Sequence, residues 1–283
     1  MNSTTAMPTL LFSRRSLSAL GAFALVAALA FTPQALQAQT QVKNPAGKIY
    51  VAGVVGGAQV ATGEKIEALA VKSTFRAQGA QIETKPKGTL TMVFSNGTGA
   101  FLDQDTHIEV KRFTQEPFTA SRTDLELEPS ISHTVVAIAR GTVAVSTSKL
   151  AAGSTLIFET WLGSINLHYG NLVIEVDSTA VKFFILQGEG TVQGGPLDLG
   201  GHVLHAGEQA VILPGQAGQP NIVQISPIAP ADLPALEAQV AMAYAARKTV
   251  FFEEDAAGEV TAAPVVPTSL PVQATVSPSR LPR

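Results

Sequence analysis

The sequence contains no cysteine in its 283 residues. A disulfide, a thiol nucleophile and a thiolate-bound metal are therefore excluded, as is lipid anchoring through an N-terminal cysteine. Charged residues are also scarce, at 14% against roughly 25% in an average soluble protein. Because the formal net charge is −3 and no Lys/Arg cluster is present, the chain lacks the basic surface that general nucleic-acid binding needs.

Motifs of the common enzyme classes are absent as well. The sequence has no G-x-S-x-G, no P-loop and no H-E-x-x-H. The glycines between residues 188 and 201 do not form a G-x-G-x-x-G motif that is followed by a helix. The sequence therefore does not predict a dinucleotide-binding site there. We predict no catalytic residue, no cofactor and no enzymatic activity.

Turn-forming residues, by contrast, are abundant, with 24 glycines and 17 prolines. Turn signals such as Gly141, Gly170-Asn171 and 188–190 recur about every eight to twelve residues, the spacing of short strands in a sandwich or barrel. With 46% hydrophobic residues, the chain can fill a core. The pattern predicts an all-β fold, a jelly-roll-like β-sandwich, with a β-solenoid-like stack as the alternative.

The stretch 85–113 shows this pattern most clearly. Apolar residues alternate along 90–94, and Asn96-Gly97 then predicts a tight hairpin turn. A third strand places Ile108 and Val110 on one face, with polar residues on the other. We therefore predict three short strands joined by tight turns.

The N-terminal residues resemble an export signal. Arg14 and Arg15 precede an apolar run over 17–31, and Ala38 ends a small-residue cleavage motif. This order predicts a secretory signal peptide over 1–38, and therefore a periplasmic or secreted protein. The apolar run of about fifteen residues is shorter than the roughly 20 that span a bilayer. The alternative is an uncleaved N-terminal membrane anchor.

Three further segments are predicted after the signal peptide. A β domain covers 39–228, and 229–252 contains one helix of about fifteen residues followed by a short strand. The apolar stripe of this helix consists of Leu233, Leu236, Val240 and Tyr244. Residues 253–283 are rich in Pro, Ala, Thr and Ser without periodicity, and we predict that they form a disordered tail.

An acidic row follows the predicted hairpin. Asp103, Asp105, His107 and Glu109 are two residues apart and would project from one strand face. Carboxylate and imidazole ligands of this kind can hold a divalent cation. Because Ile108 lies on the core face of the same strand, we interpret the row as a solvated surface and predict no metal there.

Two histidines and a glutamate near the end of the β domain invite comparison with the metal site of a cupin barrel. These are His202, His205 and Glu208. Residues three apart in a strand point to opposite faces, and the cupin pair of histidines separated by one residue is missing. We predict no metal ligands here, and a cupin-like metal or carbohydrate binder stays an alternative function.

Aromatic and acidic residues supply the remaining candidates. Trp161, the single tryptophan, lies near Phe158 and Tyr169. An exposed aromatic row can bind a sugar or a peptide, but we predict that these rings pack in the core. Nothing in the sequence fixes the distance between Glu175 and Glu189, so we infer no hydrolytic carboxylate pair.

The order of several short segments carries a family resemblance. The segments are 82–84, 90–98, 103–112, 128–132, 139–143, 150–153, 158–160, 186–192 and 204–210. In this order the sequence resembles a FecR domain from about residue 79 to residue 214. Thr160-Trp161 and Gly170-Asn171 depart from it, since the family usually has Thr-Pro and Gly-Thr pairs there.

The resemblance implies an exported, non-enzymatic module that acts in protein–protein binding or in the structure of the cell envelope. FecR-type regulators have a cytoplasmic anti-sigma segment before a membrane span. The residues before the apolar run are expected to be too few to fold into such a segment. The alternative is the membrane-anchored sensor part of a transmembrane sigma-regulator system. The partner is expected to be an envelope protein, and the oligomeric state stays open.

Overall fold

The computed structural model describes residues 44–119 and 124–265, which all belong to one compact unit. The predicted signal peptide (1–38) lies outside the described residues, as do residues 266–283 of the predicted tail. Both stay predictions for those parts of the chain.

Strands dominate the described chain, and in its first half they are short, as the frequent turn residues predict. They are β1 (Lys48–Val55), β2 (Ala58–Thr62), β3 (Lys65–Ala68), β4 (Thr74–Arg76), β5 (Ala80–Thr84), β6 (Thr89–Phe94), β7 (Gly99–Leu102) and β8 (His107–Gln115). The predicted hairpin is β6–β7, in which Leu90 pairs with Leu102. Its turn is wider than a two-residue turn, because the N–H of Phe94 donates to the carbonyl of Thr98.

The second half contains longer strands and, within the described residues, the one helix. The elements are β9 (Ser132–Ser146), β10 (Thr155–Glu159), β11 (Ser164–Val176), β12 (Val181–Gln193), β13 (His202–His205), β14 (Glu208–Leu213), β15 (Ile222–Pro227), α1 (Leu233–Arg247), β16 (Val250–Glu254) and β17 (Val260–Pro264). The first fifteen strands join one mixed sheet, and β16 and β17 form a separate hairpin. The predicted all-β class with one helix is confirmed.

The three long strands β9, β11 and β12 divide the sheet into two wings. We name one wing the open wing. It consists of β2, β3, β5, β8, β10 and β13 together with the first parts of β9 and β11 and the last part of β12. Their remaining parts join β1, β4, β6, β7, β14 and β15, which we name the covered wing. Each long strand therefore passes from one wing into the other.

Glycines at positive φ stand where the long strands change wing. They are Gly141 in β9 (φ 95°), Gly170 in β11 (φ 113°) and Gly188 in β12 (φ 89°). Gly170 and Gly188 are register partners, and a Cβ on Gly170 would lie 1.9 Å from the carbonyl oxygen of Gln187. The predicted turns at Gly141, Gly170-Asn171 and 188–190 are wrong. Glycine readily adopts a positive φ, which can either bend a strand or reverse the chain in a turn. The presence of glycine therefore does not distinguish a bend from a turn.

The two wings enclose one core. Ile138 and Leu167 from the open wing and Met92 and Phe183 from the covered wing are all buried in the same apolar cluster. This is the packing of the predicted sandwich, in which alternate residues of each strand face inward. The described residues do not form the alternative solenoid-like stack.

The helix packs on the outer face of the covered wing. Leu236 and Val240 of the predicted apolar stripe are buried with Phe101, Val173 and Phe184 of the wing. Tyr244, the last member of the stripe, is 44% exposed. In the described part of the chain, this helix is neither long nor apolar enough to cross a membrane. Where α1 lies on it, the covered wing is thus buried on both faces.

The β16–β17 hairpin extends this cover. Val250, Phe252 and Val260 pack against Val93 of β6. The disorder predicted from residue 253 onward is therefore wrong as far as Pro264. The Pro- and Ala-rich composition predicted too little apolar burial to order this segment. Two or three apolar residues are enough to order it when they pack on a sheet face that is already folded.

Candidate functional site

The predicted acidic row does not form on one strand. Asp103 and Asp105 lie in the turn between β7 and β8, and Asp105 has a positive φ of 52°. His107 and Glu109 alternate with the buried Ile108 on β8, as predicted. The row is therefore divided between a turn and a strand.

The histidine cluster is exposed at the edge of the open wing. His202 Nε2 lies 3.3 Å from Asp198 Oδ2, and the carboxylate of Glu208 accepts the backbone N–H of His205 at 2.8 Å. Across residues 44–119 and 124–265, no group of three or more His, Asp or Glu side chains is placed to hold a metal ion. His202 and His205 are ends of a short edge strand, each beside its own carboxylate.

The aromatic cluster divides between core and surface. Phe158 is buried, as predicted, but Trp161 and Tyr169 are each 50% exposed. The prediction of core packing is wrong for both. Trp161 lies in the turn between β10 and β11, where its Nε1 donates to the carbonyl of Asp177 at 3.0 Å. A turn places a ring at the surface, whatever its apolar area.

The two glutamates are not brought together. The carboxylate of Glu175 accepts a hydrogen bond from Lys182 at 3.1 Å in the covered wing. Glu189 lies beyond the bend, in the open wing, where its carboxylate is 3.4 Å from His168 Nδ1. Each carboxylate has a separate partner.

A buried arginine joins the end of α1 to the sheet. An arginine in the last helical turn is expected to face solvent, but Arg247 is 3% exposed. Its guanidinium donates to the carbonyls of Gly97 (3.2 Å) and Leu125 (2.6 Å) and to the carboxylate of Glu126 (3.1 Å). Sequence reasoning missed this role because the three acceptors lie more than a hundred residues away along the chain.

Glu128 is a second buried charged residue, two positions from the partner of Arg247. Its carboxylate accepts hydrogen bonds from the hydroxyls of Ser132 and Ser154 and from the backbone N–H of Ala151. Burial raises the pKa of Glu128, although these hydrogen bonds act in the opposite direction. The network ties the connector before β9 to the loop before β10.

Glu126 shows the opposite electrostatics. A hydrogen bond from Lys248 lowers the pKa of its carboxyl, and the charge of Arg247 acts in the same direction. Its side chain is 57% exposed, so desolvation opposes the lowering only in part. Two carboxylates in one connector therefore differ in the direction of their pKa shifts.

One sheet edge has no charged residue, although its strand ends in a proline, Pro227. β15 pairs with β14 on one side, and no other described strand pairs with it. Its sequence, IVQISP, has no charged residue, and Ile222 and Ile225 are 51% and 40% exposed. Natural edge strands are commonly blunted by charge, so this edge is open to further pairing.

A cleft of about 770 Å³ lies where the long strands bend, beside the end of α1. Tyr169 and Tyr244 line it with half-exposed rings, and Asn171 and Gln187 line it with side-chain amides. Its volume falls in the range of small-molecule sites, roughly 300–1,000 Å³. The cleft and the β15 edge are two surfaces of the described chain that have recognisable binding chemistry.

Comparison with known proteins gives little to transfer. No protein-family model matches the chain, and no curated protein matches it. Two crystal structures of a candidate anti-sigma factor from Parabacteroides distasonis ATCC 8503, at 2.50 and 1.65 Å resolution, align with TM-scores of 0.41 and 0.40 and identities of 12% and 11%. The alignments cover 55% of this chain and 62% and 63% of those chains. At this level of likeness we transfer no function.

Proposed function

We propose that this chain is an exported, non-enzymatic, FecR-like module that binds a partner protein of the cell envelope at the β15 edge. The observation that carries the proposal is the uncharged, exposed edge strand Ile222–Pro227. The resemblance of residues 79–214 to a FecR domain and the export signal predicted over 1–38 support the family and the location.

The other sheet edges of the described chain differ from β15 in charge. β3 contains Lys65 and Glu67, which form an ion pair at 2.8 Å, and β4 is three residues long and ends at Arg76. β13 contains two histidines beside acidic residues. Charge and short length discourage pairing with another chain. β15 is six residues long and has neither protection.

Strand addition explains how such an edge can recognise a partner. Alternate residues of an edge strand turn their backbone N–H and C=O groups outward, and an extended segment can bond to them. The backbone bonds supply affinity, while the exposed Ile222 and Ile225 supply apolar contacts that select the sequence of the added segment. No catalytic group is required.

Site-specific photo-crosslinking in the intact envelope tests the proposal. A photoreactive residue replaces Ile225, and a matched control replaces Ile66, which is 65% exposed on the charged edge strand β3. We expect an adduct with a different protein at residue 225 but not at 66. Ile225→Lys should reduce co-purification of that protein by at least about tenfold, whereas Ile66→Lys should not.

Three outcomes would overturn the proposal. The first is that no adduct forms at residue 225, and the second is that adducts form equally at residues 225 and 66. The third is that the sole adduct has twice the mass of this chain, as a crosslinked dimer would. The last outcome would indicate self-association through β15. Melting temperatures of both lysine variants show whether either change acts through folding.

A further inference from the structure

The cleft at the strand bends contains a second set of recognition groups, separate from β15. Its two aromatic walls are Tyr169 in β11 and Tyr244 in α1, which are 50% and 44% exposed. The side chains of Arg247 and Lys248 flank the Tyr244 ring at 5.7 and 5.1 Å from its centroid. These cation–π contacts hold one wall of the cleft in place before any ligand binds.

Between the aromatic walls most of the lining residues carry polar side chains. The Asn171 amide donates to Gln187 Oε1 at 3.1 Å, which fixes both side chains and leaves Asn171 Oδ1 and Gln187 Nε2 for a ligand. Ser146 is buried, and its hydroxyl has no hydrogen-bond partner among the described residues. An unpartnered buried hydroxyl at a cleft is a group that a polar ligand can satisfy.

The charges of the cleft indicate what such a ligand carries. The buried guanidinium of Arg247 uses three of its five N–H donors on Gly97, Leu125 and Glu126. The carboxylate of Glu126, which also lines the cleft, is paired with Arg247 and Lys248. Lys149 lines the cleft, is exposed, and forms no ion pair within the described residues. One available ammonium suits a single carboxylate better than the concentrated charge of a phosphate chain.

We propose that this cleft binds an oligosaccharide that carries a carboxylate group. The C–H face of a sugar ring stacks on the half-exposed ring of Tyr169, while Tyr244, whose ring is contacted by Arg247 and Lys248, forms a second wall. Amide and hydroxyl groups of Asn171, Gln187 and Ser146 match the hydroxyls of a sugar. An apolar small molecule fits poorly, because Leu150 is the one aliphatic side chain in the lining.

Binding of the full-length chain to an array of acidic and neutral oligosaccharides tests this inference. We expect retention of acidic glycans, followed by a loss of about tenfold in affinity for Tyr169→Ala, the size of one stacking contact. Trp161→Ala is the matched control, since Trp161 is equally exposed but does not line the cleft. Lys149→Ala should lower the affinity for acidic glycans by about tenfold, to the affinity for neutral glycans.

Several outcomes would overturn the inference. They are no retained glycan, retention of neutral glycans alone, or an equal loss in the Tyr169→Ala and Trp161→Ala variants. Because each of these side chains is half-exposed or exposed, the variants are expected to melt within a few degrees of the native chain, which a thermal scan checks. The result is independent of partner binding at β15, because Ile225→Lys leaves the cleft intact.

Discussion

The outer faces of the two wings differ, although three strands run through both. In the covered wing, Phe101 and Phe184 point away from the sandwich core and are buried under α1. In the open wing, outward side chains meet solvent and form ion pairs such as Lys111–Glu159 at 2.9 Å. The difference shows that the helix, not the sandwich, decides where a strand can be apolar on both faces.

The strand β12 contains both situations within thirteen residues. Its first part is apolar at nearly every position and lies between two apolar clusters. After Gly188 the strand alternates, with Val192 in the core and Thr191 outward. A continuous apolar run therefore marks the part of this strand that lies between the sandwich core and α1.

The largest effect is expected from removing an outward ring of the covered wing. Phe184→Ala should lower the free energy of unfolding by about 3–5 kcal/mol, because a cavity opens under α1. Thr191→Ala, at an outward position of the same strand in the open wing, should change it by less than about 0.5 kcal/mol. Chemical denaturation measures both. Similar losses in the two variants would contradict the contrast between the wings.

A smaller effect is expected where α1 ends on the covered wing. Arg247→Ala should cost about 2–4 kcal/mol, because the carbonyls of Gly97 and Leu125 lose their donor in a buried site. Lys248→Ala is the control, since Lys248 contacts the same carboxylate, Glu126, from a partly exposed position and should cost less than about 1 kcal/mol. Denaturation midpoints measure the loss of stability in each variant. Equal losses would show that the ion pairs with Glu126, rather than the hydrogen bonds from the buried guanidinium, stabilise the end of α1.

The smallest effect is a pH dependence in the connector, where Glu126 contacts the end of α1 and Glu128 contacts the start of β9. Because the pKa of Glu128 is raised by burial, its contribution to stability is fully present below the ordinary glutamate pKa and is lost as pH rises through the raised value. The stability of Glu128→Gln relative to the native chain should therefore rise with pH.

Glu126 should show the opposite sign. Its pKa is lowered, so its contribution is present above the ordinary glutamate pKa and is lost as pH falls. The stability of Glu126→Gln relative to the native chain should therefore fall as pH rises. Urea unfolding measures the Glu126 slope below the ordinary glutamate pKa, down to about pH 2.5, and the Glu128 slope above it, up to about pH 8. Slopes of the same sign would show that burial does not govern Glu128.

Part of the fold could be predicted from local pattern. The pairing of β6 with β7 and the fifteen-residue helix follow from alternation, turn residues and helical spacing. The surface position of Trp161 could not, because a ring in a turn has the same sequence signature as a ring in a strand end. The cleft could not either, since Tyr169 and Tyr244 are brought together by the packing of α1 on the sheet.

The sequence by itself determined the all-β class, the helix over Leu233–Arg247 and the lack of thiol chemistry, because these depend on composition and on periods of two and 3.6 residues. Only the tertiary structure decided that Gly141, Gly170 and Gly188 bend strands instead of ending them. It also decided that Arg247 is buried against Glu126, 121 residues away. Such outcomes depend on contacts between distant segments, which local periodicity does not encode.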